Sequence, residues 1–335
     1  MKTCICSLAF VAFLVVVTLT SSLKAQPLVT IQTAAVGDAG NAADGTGYGA
    51  VTNVFALGKY EVTIGQYTSF LNAVAATDTY SLYNPSMAAD LNIAGITQAG
   101  SSGNFSYSAV GSSNRPISHV NWFDAARFAN WMNNGATVGA STETGAYTLN
   151  GATAGIITKS AGATWWIPSE DEWYKAAYYK GGGTNAGYWD YPTQSDTAPG
   201  NVVGGAPNQA NSRNEVYSVT QSASYSSELN YLTDVGAFSS SASAYNTYDQ
   251  GGNVMEWSDA VAATNASRRL ASGGSWAANE FVLASANSRE DFDPSSDEYG
   301  FIGFRLATVP EPSTYALLLM AGAGWLLWRR RKLTI

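Results

Sequence analysis

The chain has 335 residues, with 17 Lys and Arg against 25 Asp and Glu, and four of the basic residues form the block Arg329-Arg330-Arg331-Lys332 near the C-terminus. So acidic a body argues against nucleic acid as a partner. The only cysteines, Cys4 and Cys6, lie in the apolar N-terminal segment, which excludes thiolate chemistry and disulfides from everything that follows it.

Residues 1–25 run from Lys2 through the apolar stretch Leu8–Leu19 to Leu23-Lys24-Ala25. This is the order of charge, apolar core and small-residue exit of a cleavable secretion signal. Residues 29–307 contain no internal repeat and no long linker, and read as one globular domain. Its abundant Gly, Ser, Asn and Ala, its low charge and its many Trp and Tyr describe a loop-rich extracellular domain with aromatic anchors.

The first expected elements are strands at Val29–Thr33 and Val54–Tyr60, on either side of a Gly/Asp-rich turn region, 37–49. Thr63-Ile-Gly-Gln66 has capping-box spacing, and Tyr67, Leu71 and Val74 share one face of the helix it opens. A second helix is expected over Phe123–Asn133. A third starts at Ser169, where Glu172 bonds back to the cap, so Glu170, Asp171 and Glu172 read as helix-start residues rather than as an acid-base cluster. Residues 181–250 are rich in Gly, Ser, Asn and Tyr and predict ordered irregular backbone of the kind a metal often holds.

At the C-terminus, residues 309–333 comprise Val309-Pro310-Glu311-Pro312-Ser313, the apolar run Tyr315–Trp328 and the basic block. The run is shorter than the ~20 residues of a comfortable membrane span, and on physical grounds reads as a temporary stop-transfer segment. Pro310, Glu311 and Pro312, followed by a short apolar helix and basic residues, resemble the PEP-CTERM sorting signal. That resemblance implies a tail held in the membrane until an exosortase removes it, in a Gram-negative host that makes exopolysaccharide.

Four ordered segments resemble the formylglycine-generating enzyme and sulfatase-modifying-factor domain. They are Lys59-Tyr-Glu-Val-Thr-Ile-Gly-Gln-Tyr-Thr-Ser-Phe70, Arg115-Pro-Ile-Ser-His-Val-Asn-Trp-Phe-Asp-Ala-Ala-Arg-Phe-Ala-Asn-Trp131, Trp166-Ile-Pro-Ser-Glu-Asp-Glu-Trp-Tyr-Lys-Ala-Ala177, and Gly252-Asn-Val-Met-Glu-Trp257 with Ser272-Gly-Gly-Ser-Trp276 and Gly303-Phe-Arg305. The resemblance implies an α+β fold related to C-type lectins, with little regular secondary structure. Catalytic relatives bind copper through two cysteines after the Gly-Gly-Ser segment and oxidise a target cysteine to formylglycine. Ala278 and Leu283 stand at about those positions, so no copper ligand is left. The related iron-dependent sulfoxide synthases need several histidines; this chain has only His119, which reads as a packed or surface residue.

The resemblance also implies a calcium site, with Asp249 and Glu256 as side-chain ligands and the carbonyls of Gly252 and Val254, and a second site that would involve Asn211 and Ser212. Hard oxygen donors in a tight Gly-rich loop suit calcium. The alternative is that Glu256 bonds only to neighbouring backbone.

No nucleophile elbow, zinc-protease helix or phosphate-binding loop occurs. Two functions stay open. One is a non-catalytic binding or structural module, with Trp165, Trp189 or Tyr191 stacking on a polysaccharide. The other is an enzyme using Glu290, Asp291 or Asp293 beside Arg289, or residual formylglycine-generating activity. A third possibility is that the chain partners a secreted sulfatase without modifying it.

Overall fold

A computed structural model of the protein describes residues 26–284 and 287–310; the signal segment and most of the sorting tail lie outside them. In chain order the elements are β1 (Thr33–Val36), β2 (Phe55–Gly58), α1 (Ile64–Val74), α2 (Ser86–Ala89), β3 (Ile96–Ala99), β4 (Ser106–Ala109), α3 (Trp122–Asn133), β5 (Trp165–Trp166) and α4 (Glu170–Tyr178). Then follow β6 (Arg213–Asn214), β7 (Val216–Tyr217), β8 (Met255–Val261), β9 (Arg269–Ser272), a 3₁₀ turn (Glu280–Leu283), β10 (Arg289–Phe292), β11 (Ile302–Gly303) and β12 (Ala307–Thr308).

The three main helices begin where side chains can take up orphan backbone N–H groups. Thr63, Asn121 and Ser169 each cap a third amide, while Gln66, Asp124 and Glu172 bond back to the caps. The second helix thus starts one residue before the expected Phe123. The first strand is displaced from the expected Val29–Thr33 to Thr33–Val36. Val29 is buried, but Leu28 bonds through its N–H to the Ala136 carbonyl instead of to a strand. Between residues 181 and 250 the regular structure is limited to the two-residue strands β6 and β7, as the composition suggested.

One antiparallel sheet has the order β1-β2-β12-β5, with Ala307 facing Leu57 on one side and Trp166 on the other. The end of the domain is therefore an inner strand, and the sheet forms only when both ends of the chain are present. A second sheet has the order β10-β9-β8-β11, in which β11 runs parallel to β8 and the other pairs are antiparallel. Against the strands, α1 and α3 pack an aromatic core. Phe128 meets Phe70 at 5.3 Å and Phe304 at 5.4 Å, and Tyr67, Trp131 and Phe304 are fully buried. Edge-to-face ring pairs of this kind add about 0.5–1.5 kcal/mol each beyond their burial.

Candidate functional site

The loop entering β8 turns sharply through left-handed residues Asp249 (φ 59°), Gly252 (φ 89°) and Asn253 (φ 59°). Gly252 is required there: a β-carbon would lie 2.3 Å from the Asn211 carbonyl oxygen. The turn delivers Glu256 into the interior opposite Arg305, which follows β11. The Arg305 guanidinium grips both Glu256 oxygens as a fork and also donates to the carbonyls of Gly58 (3.0 Å) and Tyr248 (2.8 Å). Trp173 on α4 donates its indole N–H to Glu256 at 2.7 Å.

Two further carboxylates share this pocket of charge. Glu61, just after β2, has its nearest Arg305 nitrogen at 4.0 Å, and both its oxygens are buried without a hydrogen bond. Burial first, then the charges of Asp249 and Glu256, hold its carboxyl well above the usual range. Asp249 accepts from the Gly236 N–H, and burial pushes it up to about 6. Two buried acids, Glu256 and Glu61, and the half-buried Asp249 thus act on one guanidinium.

That balance fits a calcium ion as far as charge goes, and a cavity of about 10 Å³ beside Asp249 has room for one water-sized sphere. The ligand set expected from sequence does not carry over unchanged. Glu256 is held by Arg305 and Trp173, which makes it the anchor of an ion pair, whereas the orphaned oxygens belong to Glu61, which sequence reasoning passed over. Among the described residues no three acidic, histidine or cysteine side chains converge as a metal cage, and the small cavity beside Asp249 is not lined by Gly252 or Val254. Asn211 lies alongside, bridged to Gly252, but its amide N–H groups go to the Tyr231 carbonyl and to Asn253. Ser212 is fully buried with an unpaired hydroxyl.

A further buried acid sits across β9. Glu170 opens α4, yet its side chain turns inward, where Ser272 donates to it at 3.0–3.1 Å and Arg289 approaches to 3.6 Å. Burial raises it to about 7, against the opposing pull of Arg289 and Ser272. The helix-start reading therefore holds for Glu172, which closes the cap, while Asp171 bonds the Gly49 N–H and Glu170 is a buried partner of Arg289. The acids suggested beside Arg289 do not join it. Glu290 is exposed, Asp291 lies 3.7 Å from Arg268, and Asp293 binds Ser295. Strand alternation along β10 puts Glu290 on the face opposite Arg289, whereas Asp291 shares that face but is drawn to Arg268, and Asp293 lies beyond the end of the strand.

Ala278 and Leu283, expected from the resemblance to stand at about the family's cysteine positions, are adjacent in space. A β-carbon on Gly274 would lie 2.8 Å from the Leu283 side chain and 3.6 Å from the Ala278 side chain. Leu283 is fully buried against Tyr191 and Ala210. Neither residue offers a donor atom to a soft metal. His119 is packed, 2.8 Å from the Glu298 carbonyl and 3.2 Å from Asp90. Of the aromatics singled out, Tyr191 is buried and Trp165 half-buried in β5, whereas Trp189 stands on the wall of a hollow.

The sulfatase-modifying factor enzyme 1-like domain matches residues 30–309. The chain belongs to that family. The PEP-CTERM sorting motif matches residues 308–332, which marks the protein for export to the cell envelope or surface of a Gram-negative bacterium and for processing by exosortase-type machinery. Of the motif itself only Pro310 is among the described residues, and the expected membrane helix lies outside them; no described helix is long and apolar enough to cross a membrane. CarF is similar in fold, with a TM-score of 0.50 at 20% identity over 84% of this chain and 99% of CarF. Treponema denticola variable protein 1 is 19% identical over 84% of this chain and 95% of its own, with a TM-score of 0.45. PvdO from Pseudomonas aeruginosa is 17% identical over 84% and 92%, with a TM-score of 0.45. No curated protein matches the chain.

Proposed function

We propose that this family member is an exported, non-catalytic binding or structural module in which the ancestral oxidation site has become packing. The observation that carries this reading is Leu283, fully buried beside Ala278 where catalytic relatives have copper-binding cysteines. With no thiol beyond Cys6, the exported domain has nothing to hold copper in the family's manner. Residues 26–310, supplied with copper, oxygen and a cysteine-containing sulfatase peptide, are expected to leave the peptide mass unchanged. Appearance of the formylglycine product would overturn the reading.

The same proposal includes a structural calcium ion at Asp249, supported by the excess of buried carboxylate over guanidinium. Calcium then stabilises by binding only the folded state. Millimolar calcium is expected to raise the unfolding temperature and a chelator to lower it, with both effects lost in Asp249→Ala. An unfolding temperature indifferent to calcium and chelator would remove the ion from the account.

A further inference from the structure

A second feature on the surface has no part in either buried cluster. Gly181, Gly182 and Gly183 all take left-handed backbone (φ 69°, 85° and 134°), which folds the chain after α4 back on itself. The Lys180 N–H bonds to the Gly187 carbonyl at 2.9 Å, and the Trp189 N–H to Tyr178 at 2.8 Å. This return sets the Tyr188 ring edge-on to Tyr179 at 4.9 Å and beside Tyr174 at 5.6 Å. Its hydroxyl is fixed between the Asn41 amide (2.7 Å) and the Ala42 carbonyl (2.8 Å). A hollow of about 420 Å³ opens against these rings, with Tyr188 and Trp189 on one wall and Thr184, Asn185, Asp44 and Asp190 supplying polar groups. The Lys180 ammonium lies 4.1 Å from the Trp189 ring and 3.9 Å from Asp196, so its charge is already balanced.

We infer that this hollow is a saccharide subsite, taking a neutral sugar unit of a surface polysaccharide. A pyranose offers an apolar C–H face to an aromatic ring and a rim of hydroxyls that both donate and accept. A wall of Tyr and Trp with carboxylate, amide and hydroxyl groups around it answers both. The volume is in the range of small-ligand pockets. Tyr188 is held by two hydrogen bonds and two ring contacts, so little freedom is lost when a sugar docks on it. Asp44 and Asp190 in the wall, on a protein of net charge −8, select against uronic or sulfated sugars. The inference rests on the domain being a binding module, and it supplies that module's ligand class.

The competing surface is Tyr225, which is 56% exposed at the end of a stack with Tyr231 (5.9 Å, 9°) and Trp276 (4.9 Å, 6°). Native gel electrophoresis of residues 26–310, which contain both sheets and the whole core, through hydroxyethylcellulose, galactomannan or alginate separates the cases. Retardation by at least one of the neutral polymers is expected, with none by alginate. Trp189→Ala is expected to weaken it about tenfold or more. Asp190→Asn, at an exposed position that leaves the core untouched, should weaken it as well, and Tyr225→Ala should not. No retardation of the wild type, retardation by alginate alone, full retardation of Trp189→Ala, or loss only in Tyr225→Ala would each overturn the inference. The peptide-oxidation assay reads the parent proposal independently: formylglycine product counts against that proposal, and absence of both product and retardation counts against the sugar site alone.

Discussion

Replacing Arg305 by methionine is expected to destabilise the domain by about 3–5 kcal/mol, the usual result of removing one partner from a buried ion pair. The guanidinium grips both Glu256 oxygens, lies 4.0 Å from Glu61 and acts on Asp249 through its charge, and it also ties together the carbonyls of Gly58 and Tyr248 from distant parts of the chain. Lysine retains the charge but cannot bridge both Glu256 oxygens and the two carbonyls from one nitrogen, so Arg305→Lys should recover only part of the loss. The contrast within the cluster is the sharper test. Glu61 has no hydrogen bond to lose and is held toward its protonated form, so Glu61→Gln should change stability by less than about 1 kcal/mol. Urea unfolding followed by tryptophan fluorescence measures all three. Equal midpoints for wild type and Arg305→Lys, or a large loss in Glu61→Gln, would contradict this account; if Arg305→Met does not fold, the other two variants still decide.

The second large effect is a decline in stability between acid and neutral pH. Glu170 has an ordinary carboxyl pKa of 4.5 when exposed and is pushed up to about 7 in the fold by burial. The folded state therefore binds this proton more tightly than the unfolded chain. The resulting stabilisation is complete below about pH 4.5, falls as pH rises through 7, and is absent above it; a shift of this size corresponds to roughly 3 kcal/mol. Asp259, raised to about 6 by burial against the pull of Arg269, acts in the same direction at lower pH. The domain should thus melt at a higher temperature at pH 5 than at pH 8. Glu170→Gln, which imitates the protonated acid, should remove the part of that slope near pH 6–7. A wild-type melting temperature that rises from pH 5 to pH 8 would exclude the buried acid as the cause.

What the sequence disclosed depended on how local the signal was. Capping boxes at Thr63 and Ser169 involve four residues and an ordinary hydrogen-bond pattern, and those helix starts were read correctly. The family's ordered motifs carried the overall architecture, which periodicity alone could not, because β5, β6, β7, β11 and β12 are two residues long. The inner position of β12 is set by partners 250 and 141 residues upstream in register, Leu57 and Trp166 for Ala307, and no short-range pattern encodes such a pairing. Glu61 was missed because one acid in Lys59-Tyr60-Glu61-Val62 resembles any solvated strand residue until Arg305 is brought beside it. Glu170 was assigned to its helix because a capping helix start explains acids there; that its side chain turns toward Ser272 depends on β9, a hundred residues further on. Trp189 could be named as an aromatic worth attention, but the hollow beside it comes from the left-handed glycines 181–183, whose geometry composition does not give.

The inner place of β12 also sets how the protein sits on its cell. Thr308 and Val309 bond to the Thr164 carbonyl, and only Pro310 to Thr314 separate this anchored end from the apolar run that begins at Tyr315. Fully extended, those steps span at most about 20 Å. While the tail is attached, the Val309 end of the domain can lie no farther than this from the start of the apolar run. A protease cutting before Ala307 would strip a strand from the middle of a sheet, whereas one cutting after Pro310 would leave β12 with both its partners.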